Sequence, residues 1–82
     1  MGEAIRLWEA AAEQGHLYAF IELAKHYEHK ERDVNSALKW TKSAMQRVEQ
    51  VDLPAYMRKF WLTEIEHRME RLKRKAGIQG TL

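Results

Sequence analysis

Apolar residues recur along this chain at the three- and four-residue steps of amphipathic helices, and no segment shows the strict alternation of a half-buried strand. Ala4, Leu7, Trp8 and Ala11 form the first stripe, with Glu3, Arg6, Glu9 and Glu13 on the other faces. Gly15 offers the left-handed backbone that closes a helix, so the first helix is predicted over about residues 3–14. Leu17, Phe20, Leu23, Ala24 and Tyr27 predict a second, from about His16 to Lys30. Asp33 can cap a third, whose stripe is Ala37, Leu38, Thr41, Ala44, Met45 and Val48. The segment Gln50-Val51-Asp52-Leu53-Pro54 breaks the pattern; Pro54 suits a first turn, where its missing N–H is no loss, and Asp52 can cap it. The fourth helix is predicted to be the longest, from about Pro54 to Ala76, with a stripe of Met57, Trp61, Ile65, Met69, Leu72 and Ala76 and with Tyr56 and Phe60 beside it. Gly77 ends it, and residues 77–82 read as a loose tail. The connections are short, so successive helices must be antiparallel. The expected fold is all-α: four helices in antiparallel hairpins, over residues 1–76, with a long C-terminal helix.

Composition narrows the function classes. Eighty-two residues suffice for one domain. The absence of cysteine excludes a disulfide framework, thiolate zinc sites and thiol catalysis. No apolar run reaches the roughly 18 residues of a membrane span, and no signal-peptide core is present, so the expected location is cytoplasmic. The net charge of +2 conceals an asymmetry: residues 1–57 carry −2, residues 58–82 carry +4, and the last helix is basic.

An internal repeat gives the architecture a second support. Ala4, Ile5, Arg6, Leu7, Ala10 and Ala11 match Ala37, Leu38, Lys39, Trp40, Ser43 and Ala44 in class at an offset of 33 residues. A period near 34 built of helix–turn–helix units is what tetratricopeptide (TPR) repeats show. Small residues at Ala4, Ala11, Ala24, Ala37 and Ala44 permit helices to cross closely. The stretch Ala10-Ala11-Ala12-Glu13-Gln14-Gly15-His16, with Leu23-Ala24, Tyr27, Asp33-Val34, Ala37-Leu38 and Trp40, resembles the Sel1 subclass of TPR-like repeats. It departs from that subclass in the turn, where His29-Lys30-Glu31-Arg32 replaces a glycine-containing loop. A narrower similarity runs from Glu22 to Lys30, with Asp33 and Ala37-Leu38: it is similar to the C-terminal helical segment of some bacterial RNase H-like, exonuclease-type proteins. That similarity implies nuclease residues lying upstream. In this register the first helix matches the second helix of a repeat, which implies a fragment whose exposed edge, at Leu7 and Trp8, invites self-association.

Catalytic constellations are not evident. Glu22, His26 and His29 share one helix face at metal-ligand spacing, but no fourth ligand accompanies them, and a solvated polar face is the simpler reading. Phosphate-binding glycine loops and nucleophile turns are absent. Glu64, Glu66 and Glu70 lie among Arg and Lys, as expected of i,i+4 pairs. Trp8, Trp40 and Trp61 at helical spacing read as core. The expectation is therefore a non-enzymatic protein-binding or scaffolding module without a cofactor or metal.

In TPR-like arrays the first helix of each hairpin lines the binding groove. The resemblance then implies that Tyr18, Ile21, Lys25, Glu28 and His29 face a partner segment, with Tyr18 and Ile21 as apolar anchors and Arg58 added from the fourth helix. The alternative is nucleic-acid binding in support of an upstream nuclease, with Arg68, Arg71, Arg74 and Lys75 contacting phosphates.

Overall fold

The computed structural model describes residues 2–77; the expected tail beyond Gly77 lies outside the described residues. Four helices make up the fold: α1 (Gly2–Glu13), α2 (Leu17–His29), α3 (Val34–Gln50) and α4 (Ala55–Lys75). The described residues contain no strand, and none of their helices is long and apolar enough to cross a membrane.

Local chemistry sets most of the helix ends. Gly15, at φ 86°, closes α1 with a Schellman pair: its own N–H donates to Ala12 O (2.9 Å) and that of His16 to Ala11 O (3.0 Å). Asp33 caps α3, its Oδ1 accepting from Ser36 N (3.1 Å) and its Oδ2 from the Ser36 hydroxyl (2.7 Å). The same bonds, the hydroxyl's first, hold the Asp33 carboxyl below the usual carboxylate range. Asp52 does not cap α4. Pro54 occupies that position without a side-chain bond, and its carbonyl accepts from Met57 N and Arg58 N, both at 3.0 Å. Arg32 adopts φ 53° in the turn between α2 and α3, a left-handed conformation where a Cβ is unfavourable.

Successive helices pack antiparallel. Trp8 meets His26 between α1 and α2, and Ala37 and Leu38 pack with Met69 and Leu72 between α3 and α4. The molecule measures 36 × 33 × 14 Å, and with helix axes about 8–10 Å apart its thin dimension holds no more than two helix layers. Three small cores result instead of one: Ala12, Ala19 and Leu23 between α1 and α2; Ala37, Leu38, Met69 and Leu72 at one end of α3; and Ala44, Val48 and Ile65 at the other. Ala19, Ala24, Ala37 and Ala44 have no exposed surface, which is what close crossing requires.

Coverage departs from the sequence pattern in α1 and α4. Leu7, expected on the apolar stripe, is 67 % exposed, whereas Ala12 is buried and Ile5, Trp8 and Ala11 pack against its cluster. The packed face of α1 is thus Ile5–Trp8–Ala12, rotated from the predicted stripe because only α2 packs extensively on it. In α4, Ile65, Met69 and Leu72 are buried as expected, while Ala76 is exposed. The tryptophans are half-buried: Trp8 and Trp40 flank the α1–α2 core and Trp61 flanks the α3–α4 core.

Candidate functional site

Because successive helices alternate in direction, α2 and α4 run the same way, side by side along α3. A cleft of about 290 Å³ opens between them. Tyr18, Ile21, Glu22 and Lys25 line it from α2, and Phe60, Trp61, Glu64 and Arg68 from α4. The three residues Tyr18, Ile21 and Lys25, expected at a groove, are therefore brought together. Tyr18 and Phe60 are 55 % and 56 % exposed, so two aromatic rings stand in solvent at its rim. The Phe60 and Trp61 rings meet edge-on, with centroids 5.3 Å apart and planes at 77°.

Beyond the cleft, α2 and α4 are joined by a buried ion cluster. Glu28 follows Lys25 by three residues, so its side chain turns toward α4, and the carboxylate has no exposed surface. Its Oε1 accepts from Arg68 Nη1 and Arg71 Nη2, each at 3.0 Å; its Oε2 accepts from Arg71 Nε and Lys75 Nζ, each at 2.8 Å. The Arg71 hydrogen bonds, helped by Lys75 and opposed by burial, lower the Glu28 carboxyl from 4.5 to about 2. In return Glu28 raises the guanidinium of Arg71 above its ordinary value.

This cluster corrects several sequence expectations. Glu28 does not line the cleft: it is 4 % exposed and paired with three cations of its own chain. Arg68, Arg71 and Lys75, three of the four cations considered for phosphate contact, converge on it; Arg74 forms no ion pair among the described residues. The expected i,i+4 pairs of α4 do not form either. Among the described residues no ion pair involves Glu64, Glu66 or Glu70; Arg68, the i+4 neighbour of Glu64, turns instead to the buried Glu28, where a charge interacts more strongly than in water.

Arg58 lies away from the groove. It donates to Val48 O (2.8 Å) and Val51 O (3.1 Å), tying the C-terminal end of α3 to the start of α4, and it lines a separate cleft with Leu53 and Leu62. His29 is exposed, with Nε2 3.5 Å from Glu28 Oε1, and does not line the cleft.

The Glu22, His26 and His29 face is not uniformly solvated. His26 is 6 % exposed; its Nε2 pairs with Glu31 Oε2 at 3.1 Å, and its ring meets that of Tyr27 edge-on. Among the described residues, no three acidic or histidine side chains converge to hold a metal ion.

From α4 the sequence offered Arg58 for the groove, not the residues that form its wall. Phe60 and Trp61 read as core neighbours, Glu64 as a member of the i,i+4 pairs, and Arg68 as a phosphate contact. The signal was present in the width of the α4 apolar face: Tyr56, Phe60 and Trp61 add aromatic surface beyond the Ile65–Met69–Leu72 stripe that α3 covers. No protein family, curated protein or solved structure gives a significant match to the chain.

Proposed function

We propose that this protein is a non-catalytic binding module of TPR/Sel1-like helical-repeat type, and that the cleft between α2 and α4 holds a segment of a partner protein. The observation that carries this reading is the cleft's composition. Tyr18 and Phe60 keep more than half of their surface in water beside Ile21 and Trp61, although a small domain gains roughly 1.5–3 kcal/mol by burying such a side chain. Clustered aromatic surface in a concavity is what partner segments bury. Parallel α2 and α4 supply two walls of the kind that hold an extended or helical segment.

Phosphate binding by the last helix is the weaker alternative. Arg68, Arg71 and Lys75 already share one buried carboxylate of their own chain, which offsets part of their charge and fixes their side chains.

Selection of peptides from a random displayed library on the wild-type domain, with counter-selection on an Ile21→Glu, Phe60→Ala variant, tests the proposal. Peptides that bind the wild type at least tenfold more tightly than the folded variant are expected. Selected peptides that bind both equally overturn it.

A further inference from the structure

We infer that the α2–α4 cleft recognises a positively charged side chain, arginine or lysine, of the bound segment, seated on Phe60 and Trp61 with Glu64 as its counter-ion. This rests on the cleft being the binding site, and three features of the cleft point to a cation.

The first is ring geometry. Phe60 and Trp61 are consecutive on α4, and their near-perpendicular planes at 77° make a corner that lines the cleft. Tyr18, from α2, adds a third ring. A ring face carries negative partial charge, and a cation within about 6 Å of it is attracted, guanidinium and ammonium alike.

The second is charge. Four charged side chains line the cleft, and two of them, Lys25 and Arg68, are cations. Both are turned to carboxylates of this chain: Lys25 Nζ to Glu22 Oε1 at 3.3 Å, and Arg68 Nη1 to Glu28 Oε1 at 3.0 Å. Glu22 is paired by Lys25, whereas Glu64 has neither an ion pair nor a hydrogen bond among the described residues. Among the described residues Glu64 is thus the one charged side chain of the cleft without an ion pair, and it lies one helical turn from Phe60 and Trp61 on α4.

The third is distance from the basic end. Of the three cations that share Glu28, Arg68 lines the cleft with its Nη1 held on Glu28 Oε1, while Arg71 and Lys75 lie seven and eleven residues beyond Glu64. At 1.5 Å per residue those positions lie roughly 10 and 16 Å along the helix, at or beyond the Debye length of about 8 Å at physiological salt. The domain is basic overall, yet the cleft presents aromatic faces and one free carboxylate. An acidic partner segment would find no unengaged cation in the cleft.

The test is an NMR titration of the 15N-labelled chain with three small probes: N-acetyl-arginine methylamide, its neutral citrulline counterpart of matching shape, and N-acetyl-leucine methylamide. Readouts are the Trp61 indole N–H and the backbone amides of Tyr18, Phe60 and Glu64. The arginine probe is expected to shift these signals and to half-saturate at a concentration at least fivefold below that of the citrulline probe. Glu64→Gln, at an exposed position, is expected to leave the fold unchanged and to remove most of that preference. Equal response to arginine and citrulline, or a preference unchanged in Glu64→Gln, overturns the inference. If the leucine probe moves the same signals in that case, the cleft remains a binding site and only its charge selectivity fails. If no probe moves them, both readings fall.

Discussion

Arg71 grips Glu28 with two parallel bonds, Nε to Oε2 at 2.8 Å and Nη2 to Oε1 at 3.0 Å, across 43 residues of sequence. The bidentate geometry matches the guanidinium fork to the carboxylate plane, and Arg68 and Lys75 complete the carboxylate's coordination. The pair therefore closes α4 against α2 beyond the cleft and holds its two walls in register.

Acid should loosen this clasp. The Glu28 carboxyl lies at about 2 in the folded protein against 4.5 ordinarily. A carboxyl depressed on folding contributes stability that is fully present above about pH 4.5 and is lost as pH falls through about 2. The shift corresponds to a contribution on the order of 3 kcal/mol. Urea unfolding followed by circular dichroism should show Glu28→Gln less stable than wild type by that order at pH 7. The difference should narrow between pH 4.5 and 2, with Asp33 titrating alike in both proteins. A difference independent of pH would remove the clasp from the account.

Gly15 is predicted to tolerate no side chain. Its φ of 86° disfavours a Cβ, and a methyl there would lie 2.5 Å from Arg47 Nη2. Arg47 donates from Nε to Gly15 O at 2.7 Å, joining the α1–α2 turn to α3, so the methyl displaces that bond as well. Gly15→Ala should destabilise by about 1–3 kcal/mol, combining backbone strain with a lost hydrogen bond. In an Arg47→Ala background the penalty should shrink to the backbone share, a coupling that a double-mutant cycle measures directly.

Arg32 occupies a glycine-like conformation without being glycine. Replacing it with alanine removes the charge but retains the left-handed Cβ, whereas Arg32→Gly removes both. The glycine variant should exceed the alanine variant in stability by about 0.5–1 kcal/mol, the part of the left-handed penalty that unfolded-chain entropy does not cancel. Thermal unfolding should separate them by several degrees at this chain length. Equal midpoints would mean that the turn relaxes without strain.

Leu7 and Leu72 should respond very unequally to truncation. Leu7 is 67 % exposed and Leu72 is fully buried among Ala37, Leu38 and Met69. Leu7→Ala should change stability by less than about 0.5 kcal/mol, while Leu72→Ala should lose about 2–5 kcal/mol through cavity formation. A large loss at Leu7 would place another surface on α1 in solution, which dilution of the protein during the measurement would reveal.

Several elements of this protein were legible residue by residue. The four helices, the Asp33 cap, the glycine closures at Gly15 and Gly77 and the buried face of α3 all follow from the chain itself. Helical periodicity, backbone φ preference and a side chain reaching the amide three residues on involve only neighbours in sequence, so no knowledge of packing is needed. Tyr18, Ile21 and Lys25 were grouped only through the resemblance to TPR-like arrays, and they line one cleft together.

The remainder was decided by which helix packs on which. Leu7 faces water and Ala12 does not, because α2 covers one narrow face of α1. Phe60 reads as a core aromatic and becomes the rim of a cleft because α3 covers the neighbouring face. Glu28 reads as a groove-facing carboxylate, and Arg71 as one cation of a basic helix able to contact phosphate. Tertiary packing brings them together, withdraws the carboxylate from water and turns Arg68 away from Glu64. A charge's state depends on its solvent exposure and on partners tens of residues distant, and those are properties of the packed helices, not of any local stretch of sequence.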